Sequence, residues 1–242
     1  MNLIIDIGNT RNKVFVFQGS RIIAEYTPAK LSLPLLKKIN ALHGIEASIF
    51  SSVTGSMQAF TTFLEQQTKF IALSHKTPLP FRNLYRTRRT LGNDRIANAA
   101  GAAKFFPGKN CLVIDAGTCV KYDFINARNQ YLGGGISPGL LMRYRALHEQ
   151  TAKLPLVKPA KHIRLLGTDT ESSIVSGVQQ GMINEMEGYI RLYKKRYRTL
   201  KVIFTGGDAD SFAHLFNFPI FAAPKLTATG LNEILQHNLK KK

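Results

Sequence analysis

The sequence predicts an α/β protein of two related halves, each a mixed β-sheet with flanking helices. Three observations carry this. IIDIGNT (residues 4–10) and VIDAGTC (113–119) share one pattern, an apolar run ending on an Asp and turning through Gly to a hydroxyl: Asp6, Gly8 and Thr10 against Asp115, Gly117 and Thr118. Each stretch leads into further strand-like runs separated by turn residues, a meander that occurs twice. Strand-length and helix-length segments then alternate on both sides of Pro107-Gly108, which stop a helix, so the halves are expected at residues 1–107 and 108–242.

In the first half, residues 2–7 read as a buried strand, and NKVFVFQGSRIIAEYT gives two more around the Gly19-Ser20 turn. Leu33 to Leu42 has helical spacing, residues 47–53 form a strand, SMQAFTTFLEQQT a helix, and residues 70–75 another strand. A polar, proline-marked loop spans 76–90, and LGNDRIANAAGAAKFF is a helix with a small-residue face of Ile96, Ala99, Ala100 and Ala103. In the second half the meander recurs over CLVIDAGTCVKYDFINARNQYLGGG. Ser137 is placed as the N-cap of the next helix, with Pro138 at its first position. A long helix begins near GTDTESSI, where Thr168 and Glu171 have the spacing of a capping box. On it Gly177 and Gly181, four apart, predict close helix packing. VIFTGGDAD is a final strong strand, and ATGLNEILQHN a closing helix.

Composition narrows the class. Over 242 residues, 44% hydrophobic and 20% charged content is that of a folded globular protein. The amino terminus lacks the basic lead and long apolar core of a secretory signal, and no run of about 20 apolar residues occurs, so the expected location is cytoplasmic, off the membrane. Cys111 and Cys119 fit no zinc spacing and read as buried free thiols; the six histidines form no metal pattern. The net charge of +18 attracts polyanions, yet the cations are scattered and no nucleic-acid module accompanies them, so nucleic acid is not an expected partner.

A strand that delivers Asp into a glycine turn and then a hydroxyl gathers backbone N–H groups where a phosphate can sit, leaving the Asp for a magnesium ion. Alone, each copy could be an ordinary turn. Asp94, in the first turn of a predicted helix, is favoured in its ionised form there and can orient or deprotonate an alcohol; it can also merely stabilise the helix start. Arg95 beside it is a bidentate clamp for carboxylate or phosphate, or a surface charge. GGGISPG (133–139) permits close approach of a ligand before a helix start, or is a plain turn.

Twin loops followed by TGGDAD are the pattern of the acetate and sugar kinase, Hsp70 and actin superfamily. The ordered set DIGNT, LGNDR, DAGTC, GGGISPGL, DTESSI and FTGGD resembles, from Met1 to about Leu235, the type III pantothenate kinase family. The resemblance implies two actin-like (ribonuclease H-like) lobes with a cleft between them, and ATP-dependent phosphorylation of pantothenate at the start of coenzyme A synthesis. It makes Asp6, Ile7, Gly8, Asn9, Thr10, Arg11, Asn12 and Lys13 the first ATP loop, with Asp6 organising Mg2+. Thr118 would touch ATP, Asp115 would lie near a monovalent cation (K+ or NH4+), and Gly206 and Gly207 would lie against the adenosine. Gly92, Asn93, Asp94 and Arg95 match the substrate motif, with Asp94 as base; Tyr85 and Thr170 match further pantothenate contacts. A homodimer is implied, with the substrate site at its interface and the helix of Gly177 in that interface. Cys119 stands where the pattern commonly has Ala, and Arg88 near where it carries a proline. The alternatives are another small-molecule kinase of the superfamily, or a non-catalytic nucleotide-binding regulator like the Bvg accessory factors that contacts nucleic acid.

Overall fold

The computed structural model describes residues 1–8, 11–52, 57–209, 212, 216 and 218–240. The chain forms two compact units. The first comprises Met1–Pro107, Asn129–Leu132 and Lys225–Lys242, the second Gly108–Arg128 and Gly133–Pro224.

The first unit is built on strands β1 (Asn2–Ile7), β2 (Asn12–Gln18), β3 (Arg21–Tyr26), β4 (Ala47–Ser52) and β5 (Lys69–Ala72), in the order β3-β2-β1-β4-β5. The meander is antiparallel, while β4 and β5 join parallel to β1. Parallel joins need crossovers, supplied by α1 (Leu33–His43) and α2 (Gln58–Gln67). α1 starts at Ser32, whose hydroxyl accepts from Leu35 N, with Pro34 in the first turn, and stops at Gly44 in the left-handed region. Leu3, Ile5, Ile7, Val14 and Val16 point to one face of the sheet and pack with Leu36, Ile39 and Leu64 of the two helices.

Helices α3 (Asn93–Phe105) and α7 (Leu226–Leu239) pack on each other and on β4, and α7 also reaches β1. Their approach is backbone-close: a side chain at Gly230 would strike the Ala97 carbonyl. Thr227 Oγ1 donates to Asn98 Oδ1 (2.8 Å), and buried Asn232 accepts from Asn2 Nδ2 and donates to Gly19 O, both at 2.9 Å. These bonds hold the chain's last helix in the first unit, whereas the sequence pattern places residues 225–242 with the second half.

The second unit repeats the arrangement. Strands β7 (Asn110–Ala116), β8 (Cys119–Ile125), β9 (Gln130–Pro138), β10 (Leu200–Thr205) and β11 (Phe221–Ala222) stand in the order β9-β8-β7-β10-β11. Position for position this is β3-β2-β1-β4-β5 of the first unit, with Asp115 where Asp6 stands on the central strand. Gln130 and Tyr131 at the start of β9, residues of the first unit, pair with β6 (Arg82–Asn83) inside the loop expected to be irregular. Leu112, Ile114, Tyr122, Val202 and Phe204 form a core with α4 (Leu140–Glu149), α5 (Thr170–Val175) and α6 (Gly181–Arg196).

Three local expectations change. β9 runs through Ser137 to Pro138, so the cap of α4 is Gly139; the Ser137 hydroxyl is drawn instead to Glu185. The capping box is Asp169–Ser172, one residue later than Thr168–Glu171: Asp169 Oδ1 accepts from Ser172 N at 2.8 Å, and a carboxylate is the better acceptor at a positive helix end. The long helix is interrupted by a π-helical turn at Ser176–Gln180. It accompanies the inward placement of buried Gln179, which accepts from Tyr144 Oη and Ala160 N and donates to Ala160 O. At Gly177 and Gly181, apart from their own helix backbone and chain neighbours, no described atom lies within 4 Å of a built Cβ, so close packing at these glycines is not made among the described residues. Cys111 is a buried free thiol, and burial pushes it up to about 12; Cys119 is half-buried.

Candidate active site

In the second unit, β7 ends on Asp115-Ala116, turns through Gly117-Thr118, where Gly117 N donates to Cys119 O (3.1 Å), and returns as β8. Two backbone segments press on that turn. Gly139 N donates to Thr118 O (3.2 Å), and Asp208 N donates to Ala116 O (2.9 Å). A side chain at Gly139 would collide with the Gly117 and Thr118 carbonyls, and one at Gly206 with the Ala116 carbonyl. Gly206 is moreover at φ 103°, a conformation that favours glycine. Asp115, Thr118, Gly206 and Gly207 are thereby gathered at the carboxyl ends of two adjacent parallel strands. The first turn of α4 begins beside them, a place suited to an anionic ligand.

Asp115 faces Lys121 across the β7–β8 ladder, and Lys121 Nζ lies 2.8 Å from Asp115 Oδ2, with the two side chains 18% and 12% exposed. The residues here do not fit the expected potassium or ammonium ion. A free cation sharing that carboxylate would meet the like charge of the ammonium, and two such charges about 4 Å apart repel by about 4 kcal/mol at an effective dielectric of about 20.

The first unit's loop is built alike. Asp6, half-buried, lies opposite Lys13 on β2 and beside Ser51 on β4, and Gly8 N donates to Arg11 O (3.2 Å). Asn9 and Thr10 lie outside the described residues. Ile7 is buried in the core, so its side chain offers nothing to a ligand, and the Asn12 amide donates to Ala29 O (3.0 Å). Of the expected ATP loop, Arg11 and Lys13 carry cationic side chains suited to phosphate, while the Gly8 N–H is committed to Arg11 O. Among the described residues no three His, Cys, Asp or Glu side chains cluster to hold a metal. A single carboxylate such as Asp6 nevertheless fits magnesium, which takes one or two protein carboxylates and completes its shell with phosphates and water.

The motif around Asp94 is also assembled in the first unit. Gly92 caps α3; a side chain there would approach within 2.5 Å of Asp94 Oδ1. Asn93 Nδ2 donates to Leu73 O (3.3 Å), fastening the helix start to the end of β5. Asp94, half-buried in the first turn, accepts from Arg95 N (2.9 Å). Arg95 is buried, its guanidinium 5.6 Å from the Tyr85 ring centre, and Tyr85 in turn meets Tyr131 at 6.2 Å. Arg95 is therefore not a surface charge. Arg88 opens a short 3-10 turn in which Thr90 N and Oγ1 both bond Thr87 O at 3.0 Å, a brace where the family pattern carries proline. Thr170, exposed at the start of α5, belongs to the second unit, whereas the other expected substrate residues belong to the first.

Sequence reasoning missed a polar cluster in the second unit. The Glu185 carboxylate accepts from Tyr122 Oη (2.7 Å), Ser137 Oγ (3.0 Å) and Arg143 Nη2 (2.5 Å), and Arg143 Nε donates to Pro138 O (2.8 Å). Its members are scattered from residue 122 to 185, with no spacing that could flag them. The cluster braces the corner from β9 into α4 that presses on the Thr118 turn. Burial acts to raise the Glu185 pKa, but the bonds from Arg143, Tyr122 and Ser137 and the Arg143 charge outweigh it and hold the carboxyl below its ordinary 4.5. A depressed carboxyl stabilises the fold fully above the unfolded value and loses that contribution as pH falls through the folded one. Glu185→Gln is therefore expected to cost about 1–2 kcal/mol near pH 7, between the exposed and buried cases. Thermal unfolding of both proteins between pH 7 and pH 3 should show the difference shrinking below pH 4.5.

The repeated five-strand order with an Asp-x-Gly turn on each central strand is the actin-like fold that the sequence predicts. A Thermus thermophilus ROK hexokinase matches at TM-score 0.52 and 13% identity, covering 98% of this chain and 99% of that one. A Campylobacter jejuni protein whose description places it in the Baf family matches at TM-score 0.66 and 21% identity, with 98% and 99% covered. The family model for type III pantothenate kinase matches residues 2–192. Proteins named type III pantothenate kinase from Christiangramia forsetii and Phocaeicola vulgatus are each 43% identical, covering 98% and 99% of this chain and 99% and 100% of the relatives. The chain belongs to the type III pantothenate kinase family.

Proposed function

We infer that this protein transfers the γ-phosphoryl group of ATP to the terminal hydroxyl of pantothenate, giving 4'-phosphopantothenate, the first step of coenzyme A synthesis in the cytoplasm. The observation that carries the reading is the full-length family match together with Asp94 held half-buried at the start of α3 beside buried Arg95. No helix among the described residues is long and apolar enough to cross a membrane.

Phosphoryl transfer passes through a loose transition state, so positioning and charge neutralisation matter more than a strong base. We assign Asp94 to align the pantothenate hydroxyl and accept its proton late in the transfer. Arg95, stiffened by Tyr85, holds the substrate's carboxylate or the transferring group, and Gly92 and Asn93 shape the backbone around it. The Arg11 and Lys13 side chains and the Thr118 turn supply donors to the phosphates, while Gly207, with open space above it, leaves room for the adenosine beside Gly206. Magnesium, when bound, neutralises phosphate charge next to Asp6.

A homodimer follows from the same reading, with Thr170 completing the substrate site. Gly177, Gly181 and Gly188 have open space above their Cβ positions, and Leu141, Leu165 and Leu166 are 54%, 84% and 77% exposed. Such surfaces suit close approach of a second chain. Light scattering at micromolar concentration should give twice the 26.9 kDa chain mass.

A coupled assay with ATP, Mg2+ and pantothenate tests the reading. Formation of ADP and phosphopantothenate is expected. Turnover of other small alcohols but not pantothenate would point to a different kinase of the superfamily, and salt-dependent DNA binding without turnover to a regulator.

A further inference from the structure

We propose that the Lys121 ammonium group takes the place of a free monovalent cation beside Asp115, so that this enzyme works without potassium or ammonium ions. The proposal rests on the kinase reading above and concerns the one expected cofactor that the site does not fit.

The pair is built in by the register of the β7–β8 hairpin, which sets Asp115 directly opposite Lys121. Nζ and Oδ2 are 2.8 Å apart, and both side chains are more than four-fifths buried, so the contact is shielded from the screening that weakens surface pairs. The turn between the two residues is clamped by Gly139 and Asp208 through backbone hydrogen bonds, leaving the hairpin little freedom to open and admit a second cation. An ammonium ion is one of the two cations the family resemblance implies, and the lysine head is its alkylated form. It carries the same single charge and offers donors, in place of an ion's coordination, to the same carboxylate. The Asp115–Lys121 pair is neutral, as a carboxylate with one bound potassium ion would be, so the field beside the Thr118 turn is kept. Because the charge is tethered, its occupancy does not depend on salt in solution.

An ordinary cross-strand ion pair would look the same in geometry, so the test must separate substitution from bracing. Turnover is measured for the wild type and for Lys121→Met in potassium, ammonium, sodium and tetramethylammonium chloride at equal ionic strength. Thermal unfolding is followed in the same salts. The wild type is expected to vary by less than about twofold across the four, as a site with its own charge should. Lys121→Met is expected to lose roughly 10²-fold in sodium or tetramethylammonium, the scale of removing one preorganised charge, and to recover saturably with potassium or ammonium. Its melting temperature should rise with potassium, and that of the wild type should not.

A wild type that turns over only when potassium or ammonium is added overturns the proposal. So does a folded Lys121→Met enzyme that stays fully active without them, or one whose loss neither ion restores. Should the wild type fail to phosphorylate pantothenate in every salt, the kinase reading fails instead. The melting temperatures still decide the cation question: potassium stabilising the wild type as much as Lys121→Met counts against the proposal.

Discussion

Asp94→Asn is expected to lower kcat by roughly 10²–10³-fold while leaving ATP affinity within about twofold, the scale of a positioned acid–base group. The amide keeps the size of the side chain and its place in the first turn of α3. It accepts a hydrogen bond through one oxygen but cannot take the proton that the pantothenate hydroxyl must lose. The groups proposed for ATP lie elsewhere in the sequence: Asp6, Gly8, Arg11 and Lys13 at the ends of β1 and β2 and the loop that joins them, and Thr118, Gly206 and Gly207 on the turns of the second unit. Steady-state kinetics together with calorimetric titration of ATP separates the two effects. Unchanged kcat removes Asp94 from the chemistry, whereas parallel loss of turnover and ATP binding makes it a structural residue of the helix start.

Gly230→Ala is expected to destabilise the protein strongly, against the usual rule. In a helix interior this exchange ordinarily stabilises by about 1 kcal/mol, because alanine loses less backbone entropy. Gly230 is different, since its Cβ position lies against the Ala97 carbonyl and 2.9 Å from Gly101 N, both backbone atoms of α3. Backbone cannot rotate aside as a side chain can, so α7 must move off α3, and overpacking of this kind costs about 1–3 kcal/mol or more. The steric cost outweighs the propensity gain, and a net loss of about 2 kcal/mol corresponds to a fall of roughly 4–8 °C in Tm for a chain of this length. Thermal unfolding measures it. A variant as stable as the wild type would mean that the two helices are not in backbone contact.

Much of this was open to reading in the sequence, because the informative features are local. The Asp-x-Gly turns, the strand runs beside them and the Gly-Asn-Asp-Arg start of α3 are each fixed by a few adjacent residues, and the structure gives them the expected elements. Features that depend on register or on long-range packing were not legible. Lys121 looks like any lysine until the hairpin register sets it opposite Asp115. Glu185 meets Ser137 and Arg143 only because α6 crosses the corner between β9 and α4. The two-residue strands β6 and β11 are too short to carry a periodic signal, and their pairing is decided by the neighbours they find. The cap of α4 moved to Gly139 because Ser137 found a stronger tertiary partner in a carboxylate. Arg95 was ambiguous for a related reason: only the fold shows that its guanidinium is enclosed against an aromatic ring.

The discontinuous make-up of the first unit has a consequence for biosynthesis. Its five strands leave the ribosome early, yet α7, which covers α3 and the central strands, is translated after every residue of the second unit. A nascent chain must therefore carry an unfinished amino-terminal half, with the α3 face around Ala97 and Gly101 bare, until its last helix is released. Chaperone occupancy should be greatest on translation intermediates that stop short of Lys225, and premature termination there should yield a product prone to aggregation.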